Sequence, residues 1–202
     1  MATISRERHS LLFRDEEPEW MVWLVVFVAL IIGLILKGGI TGQTKTFRTD
    51  NISLAYPATW TKQANEAQLL RAVDTFSSAQ APTSVNVEQL PIADIGRNLT
   101  NLSDIALAWS TREGRLKLAH RTLGIESDKL AGRDVMVIET AYVPKRHGLA
   151  SFSTSIPTVA QERNYLTVRD DIVTIITLSA ESDQFQDQEA TWRRILASIS
   201  LP

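Results

Sequence analysis

Three histidines, twenty-three carboxylates and no cysteine bound the chemistry open to this 202-residue chain. His9, His120 and His147 stand far apart, with no H-x-x-x-H or H-E-x-x-H pair to hold a metal. The missing thiol excludes disulfides, thiolate zinc, iron–sulfur ligation and a cysteine nucleophile. Glu181, Asp183, Asp187 and Glu189 form the densest run of acids, but their spacing is not that of a calcium loop. Acids at the start of a helix complement its dipole, which accounts for them without a ligand. Asp170 and Asp171 read as turn residues rather than an acid/base pair. There is no glycine-rich phosphate loop and no G-x-S-x-G elbow. The expectation is a non-enzyme with no catalytic, cofactor-binding or metal-ligating residues and no cofactor.

Charge points the same way. The tail before residue 20 holds Arg6, Arg8 and Arg14 against Glu7, Asp15, Glu16, Glu17 and Glu19, which is 3 − 5 = −2. The rest then holds 21 − 3 = 18 basic and 23 − 5 = 18 acidic residues, net zero. A neutral domain without a basic run lacks the electrostatic footprint of a nucleic-acid binder. One local concentration stands out in "PKRHGLASFSTSIPTVA", residues 144–160: Lys145, Arg146 and His147, followed by Phe152. A connection this long is either a binding segment or a solvated loop. As a binding segment, it would contact a partner through those four residues.

The elements that carry these residues begin with an uncharged apolar run, "WMVWLVVFVALIIGLIL", residues 20–36. It exceeds the 7–15 residues of a secretory h-region, and no A-x-A-like site follows. A buried helix would show a polar stripe, whereas this run is apolar all round. With residues 38–40 it reaches about 30 Å as a helix, the thickness of the hydrocarbon core. The reading is a single membrane anchor over residues 20–40, flanked by Trp20 and Trp23 at one end and Lys37 at the other. Positive-inside counting is nearly balanced. The expected topology puts the tail, residues 1–19, in the cytoplasm and the C-terminal domain on the extracytoplasmic side, periplasmic or outer face. A linker over residues 41–46 would lead into a soluble domain over 47–202.

Within that domain the periodicities alternate. "TFRTDNISLAYP" predicts a hairpin turning at Asp50-Asn51, with Ile52, Leu54 and Tyr56 on one face and Pro57 ending the strand. Residues 69–76 and 84–90 are further strands. Asn101 or Ser103 caps a helix whose Leu102, Ile105, Trp109 and Leu116 recur at helical spacing. Residues 120–126 and 134–143 flank a turn at Gly132. Residues 161–168 and 172–180 flank another at 169–171. Asp183 with Gln186 resembles a capping box, ahead of a stripe formed by Phe185, Trp192, Ile195, Leu196 and Ile199. Antiparallel hairpins with two helices imply an α+β fold, a sheet flanked by helices.

"NISLAYPATWTKQ", "LAGRDVMVIETAY" and "DDIVTIITLSAES…ATWRRILASISL" together resemble PsbP-like domains over roughly residues 46–202. The resemblance implies an antiparallel sheet flanked by helices, with Trp60 in the core. The family includes the extrinsic photosystem II subunit and many membrane-tethered bacterial domains. That implies a non-catalytic accessory subunit of a larger membrane complex, respiratory or photosynthetic, with other membrane-protein subunits and the lipid bilayer as partners. The alternative is a tethered extracytoplasmic binding or envelope-sensing module, which requires a pocket with a few convergent polar groups.

Overall fold

The structure, a computed structural model, describes residues 19–64, 68–77, 79, 81–144 and 157–201, with the side chains of Glu19 and residues 34–41 outside the description. The chain divides into two compact units, Met1–Ile40 and Thr41–Pro202.

The first unit contains helix α1, Glu19–Thr41, 23 residues long. Every described side chain from Trp20 to Gly33 is exposed, Trp20 at 60% and Trp23 at 72%. Among the described side chains no helix is long and apolar enough to cross a membrane. Those of α1 cover 14 residues, 20–33, or about 21 Å, against ~30 Å of hydrocarbon. Lys37 lies within α1, its side chain outside the described residues.

The second unit opens with a two-stranded ribbon, β1 (Thr44–Arg48) and β2 (Ser53–Pro57), in register from Thr44–Pro57 to Arg48–Ser53. Ile52, Leu54 and Tyr56 are buried, as their alternation requires. There follow β3 (Thr61–Lys62), β4 (Leu70–Val73), β5 (Ser84–Pro91), the single turn α2 (Ile92–Ile95) and α3 (Leu102–Leu116). Then come β6 (Leu118–Leu130), β7 (Arg133–Val143), β8 (Ala160–Arg169), β9 (Ile172–Glu181) and α4 (Glu189–Ala197). Among the described residues the main sheet has seven strands in the order β3-β4-β5-β9-β8-β7-β6, every pair antiparallel. The tight hairpins turn at Ala131-Gly132 (φ 51 and 80) and Asp170-Asp171 (φ 50 and 60), positive φ at both positions as in a type I′ turn.

Two cores lie on the two faces of this sheet. One face carries Leu70, Val85, Val87, Tyr165, Ile176 and Leu178 against Phe185, Trp192 and Ile195 around α4, and against Leu54 and Tyr56 of the ribbon. Trp60 is 3% exposed and meets Trp192 edge-on, ring centroids 6.1 Å apart at 73°. The other face carries Ile138, Leu166, Val173 and Ile175 against Ile95, Ile105, Ala106 and Trp109 of α2 and α3. This is an α+β fold, an antiparallel sheet with helices on both sides.

Two details differ from the sequence reading. The capping box at Asp183 and Gln186 does not form: residues 182–188 are successive turns, and α4 begins at Glu189 after Gln188, which makes no side-chain cap. Phe185 enters the core from that turn region, because apolar spacing records which side chains are buried and not where the helix starts. Leu116 does not join Ile105 and Trp109 inside; it is 56% exposed. Its position in the last residue of α3 carries it past the edge of the packed face.

Candidate functional site: a polar cavity between the sheet and α3

The sheet face under α3 changes character along its strands. Pairing sets Arg71, Asn86, Thr177, Asn164 and Ile138 side by side in one row across β4, β5, β9, β8 and β7. The next row is Val73, Ser84, Ser179, Glu162 and Thr140. Residues two apart on a strand share a face. The α3 face is therefore apolar at Val173, Ile175 and Leu166, and polar two to four residues further along the same strands. Helix α3 covers the apolar end. Asn101 fixes its start, its Oδ1 accepting from the Asp104 amide at 2.8 Å. Trp109 ends the packed stretch. Beyond it Glu113, Leu116 and Lys117 overhang the polar rows and roof a cavity of about 500 Å³.

The far end of the cavity holds a charged cluster. Lys117 Nζ donates to Glu162 Oε2 at 2.5 Å and pairs with Glu113 Oε2 at 3.0 Å. The same ammonium lies 4.6 Å from the Tyr142 ring centroid, within cation–π range. Burial alone would lower the Lys117 pKa, but Glu162 and Glu113 outweigh it and leave it raised. Burial, then the Glu162 charge, pushes the Tyr142 hydroxyl up to about 12. Glu88 is raised by burial, with Arg112 opposing. His120, packed beside this cluster, is lowered, first by burial and then by the Lys117 charge. In the floor, Thr177 Oγ1 donates to Asn164 Oδ1 at 2.8 Å, and Asn164 Nδ2 donates to the Ile138 carbonyl at 3.2 Å.

The near end is unfinished. Arg71 Nε and Asn86 Oδ1 are buried with no hydrogen-bond partner among the described residues. A buried donor or acceptor without a partner costs about 1–3 kcal/mol, so folded proteins rarely leave two side by side. Both line the cavity.

Of the residues singled out from the sequence only Trp109 and Leu116, read there as a helix stripe, line this cavity; no candidate site residue does. Lys145, Arg146, His147 and Phe152 lie outside the described residues. The acids at 181–189 do not converge: Glu181 accepts from the Ala81 amide at 3.1 Å, and Glu189 pairs with Arg163 at 3.3 Å and Arg193 at 3.4 Å. Among the described residues no group of three His, Asp or Glu could hold a metal. The missed residues did leave a signal. "SVNVEQ" in β5 places Ser84, Asn86 and Glu88 at every second position of a central strand, and "AQERNYL" in β8 sets four consecutive polar residues, 161–164, in another. In a sheet covered on both faces, such alternation marks a polar interior and not a wet surface.

No family model matches the chain, and no curated protein matches it. Solved structures do. Cyanobacterial PsbP (CyanoP) from Synechocystis superposes with a TM-score of 0.50 at 13% identity, over 79% of this chain and 92% of that one. LpqN, involved in cell envelope biogenesis of Mycobacterium tuberculosis, gives 0.50 at 13%, over 79% of this chain and 91% of that one. At such identities the likeness concerns the fold alone, and the fold is PsbP-like.

Proposed function

We propose that this chain is a membrane-tethered, non-catalytic binding module: α1 holds it at the bilayer, and the α+β unit takes a small polar solute in the cavity beneath α3. The cavity carries this reading. Its volume falls in the range of ligand sites, and its polar atoms converge from five strands and a helix. The anchor is supported by the uncharged run at residues 20–36 and by a 23-residue helix, about 34 Å long. In this reading the tail stays cytoplasmic and the domain faces outward. The test is native mass spectrometry of the full chain, extracted from its own membranes in mild detergent. The module should resist alkaline carbonate and release a small-molecule mass on activation. A chain freed by carbonate, or one that never carries such a mass, overturns the proposal.

A second reading, the accessory subunit of a respiratory or photosynthetic complex, is favoured by one observation. Leu107 and Leu116 of α3 and Leu118 and Leu123 of edge strand β6 are each more than half exposed. Exposed apolar side chains beside a sheet edge suit a protein partner. Lys145, Arg146, His147 and Phe152 would add to that contact. Redox subunits retained through gentle purification would support it.

A further inference from the structure

We infer that the cavity selects a small organic anion, one whose carboxylate or phosphate is bound by Arg71 and whose hydroxyl group is held by the neighbouring polar floor. This deepens the binding-module reading and rests on it. The cavity is electrically lopsided. At the β8 end, Lys117 already has two carboxylates, Glu162 and Glu113. Glu88 is opposed most strongly by the charge of Arg112, and then by that of Lys117. Arg71, three strand spacings or about 14 Å from Glu162, has no ion pair among the described residues. The residue is partly buried, and its Nε–H is fully covered and without a hydrogen-bond partner among the described residues. An uncompensated charge at a cavity wall calls for an anionic acceptor, and the guanidinium fork matches the paired oxygens of a carboxylate or phosphate.

Asn86 sets the second requirement. It stands directly opposite Arg71 in the β4–β5 register, and its Oδ1 has no donor among the described residues. A bare anion would satisfy Arg71 and leave that oxygen orphaned. A hydroxyl next to the acid group satisfies both. Beyond it, Ser84 and Ser179 continue the row towards Glu162 with hydroxyls of their own. The ligand class is therefore a hydroxylated acid or a hydroxylated phosphate monoester, small enough for about 500 Å³.

Titration calorimetry on the full chain in detergent tests this with three matched probes: glycerate, glycerol 3-phosphate and glycerol. At least one anion should bind tenfold or more tighter than glycerol; which one does so tells carboxylate from phosphate. Arg71→Gln should bring that anion down to the level of glycerol. Asn86→Asp, which supplies Arg71 with an internal counter-ion, should do the same, and near-UV circular dichroism confirms that each variant is folded. Glycerol binding as well as the anions, or anion binding unchanged in Arg71→Gln, overturns the anion while leaving a cavity for neutral solutes. No binding by any of the three overturns both.

Discussion

The two faces of the main sheet are built by alternate residues of the same strands, yet they are used differently. In β5, Val85 and Val87 turn to the α4 side while Ser84, Asn86 and Glu88 turn to the α3 side. In β9, Ile176 and Leu178 alternate with Thr177 and Ser179. The α4 face holds one continuous apolar core sealed by Trp60, Phe185 and Trp192, with polar groups towards its ends: Arg163 pairs with Glu139 and Glu189, and Gln89 bonds Thr174. The α3 face is dry for half its length and then polar. Apolar burial contributes roughly 25 cal/mol per Å², so the polar half gives up stability that the same strands could have had. The difference teaches that one face holds the unit together, and the other can hold a site because it does not have to.

The comparison breaks most visibly at Trp192. It is fully buried and touches both Trp60 and Phe185. Trp192→Ala should cost about 3–5 kcal/mol, a large part of a stability that totals only about 5–15. Urea unfolding of the full chain in detergent, followed by near-UV circular dichroism, reads the loss. A cost below about 1 kcal/mol would mean that the α4 face is not the main core.

That apolar core was legible in the sequence. Ile52, Leu54 and Tyr56 alternate, and Phe185, Trp192, Ile195 and Ile199 recur at helical spacing, so period and residue type agree. Both hairpin turns were legible as well, because Gly132 and Asp170-Asp171 suit positive φ. The cavity was not. Arg71, Lys117 and Glu162 come from three distant stretches, and only the strand order β4-β5-β9-β8 with the overhang of α3 brings them around one space. A polar residue in a strand reads by default as facing water. Here it faces a roof, and the alternation in β5 takes that meaning only once the sheet is known to be covered on both faces.

The second test targets the charged end of the polar half. Glu162 is 5% exposed, and Lys117 is its direct partner. Lys117→Met keeps much of the apolar stem but leaves a buried carboxylate with a charge and no counter-ion. The expected cost is about 3 kcal/mol, since breaking a buried pair from one side is worse than replacing it whole. Lys117→Met combined with Glu162→Gln should recover most of it. A double variant no better than the single one would mean that the pair is not coupled as its geometry implies.

A smaller effect should appear with pH. His120 titrates lower in the folded unit than its ordinary 6.5, through burial and Lys117, with Glu113 and Glu162 opposing. The unfolded chain therefore takes up the proton first as pH falls. Stability from this group is constant above about 6.5, declines through the lowered folded value, and levels off below it. His120→Gln should flatten that slope between pH 7 and 5 in thermal scans. A steeper slope in the variant would mean that the shift has the opposite sign.

The smallest effect is the sharpest, because its sign is unusual. Thr140 is 0% exposed and stands on the polar row opposite Glu162, yet its Oγ1 has no hydrogen-bond partner among the described residues. Replacing a buried hydroxyl normally costs a hydrogen bond. Here there is none to lose, and the group carries only its desolvation penalty. Valine has nearly the same shape and is equally at home in a strand. Thr140→Val should therefore stabilise the unit, by about 1 kcal/mol or an increase in Tm of about 2–4 °C. If the variant melts lower instead, the hydroxyl is bonded to a buried water, and the polar half reaches further along β7 than the cavity walls indicate. In either case the result locates the border between the two uses of the α3 face at a single oxygen atom.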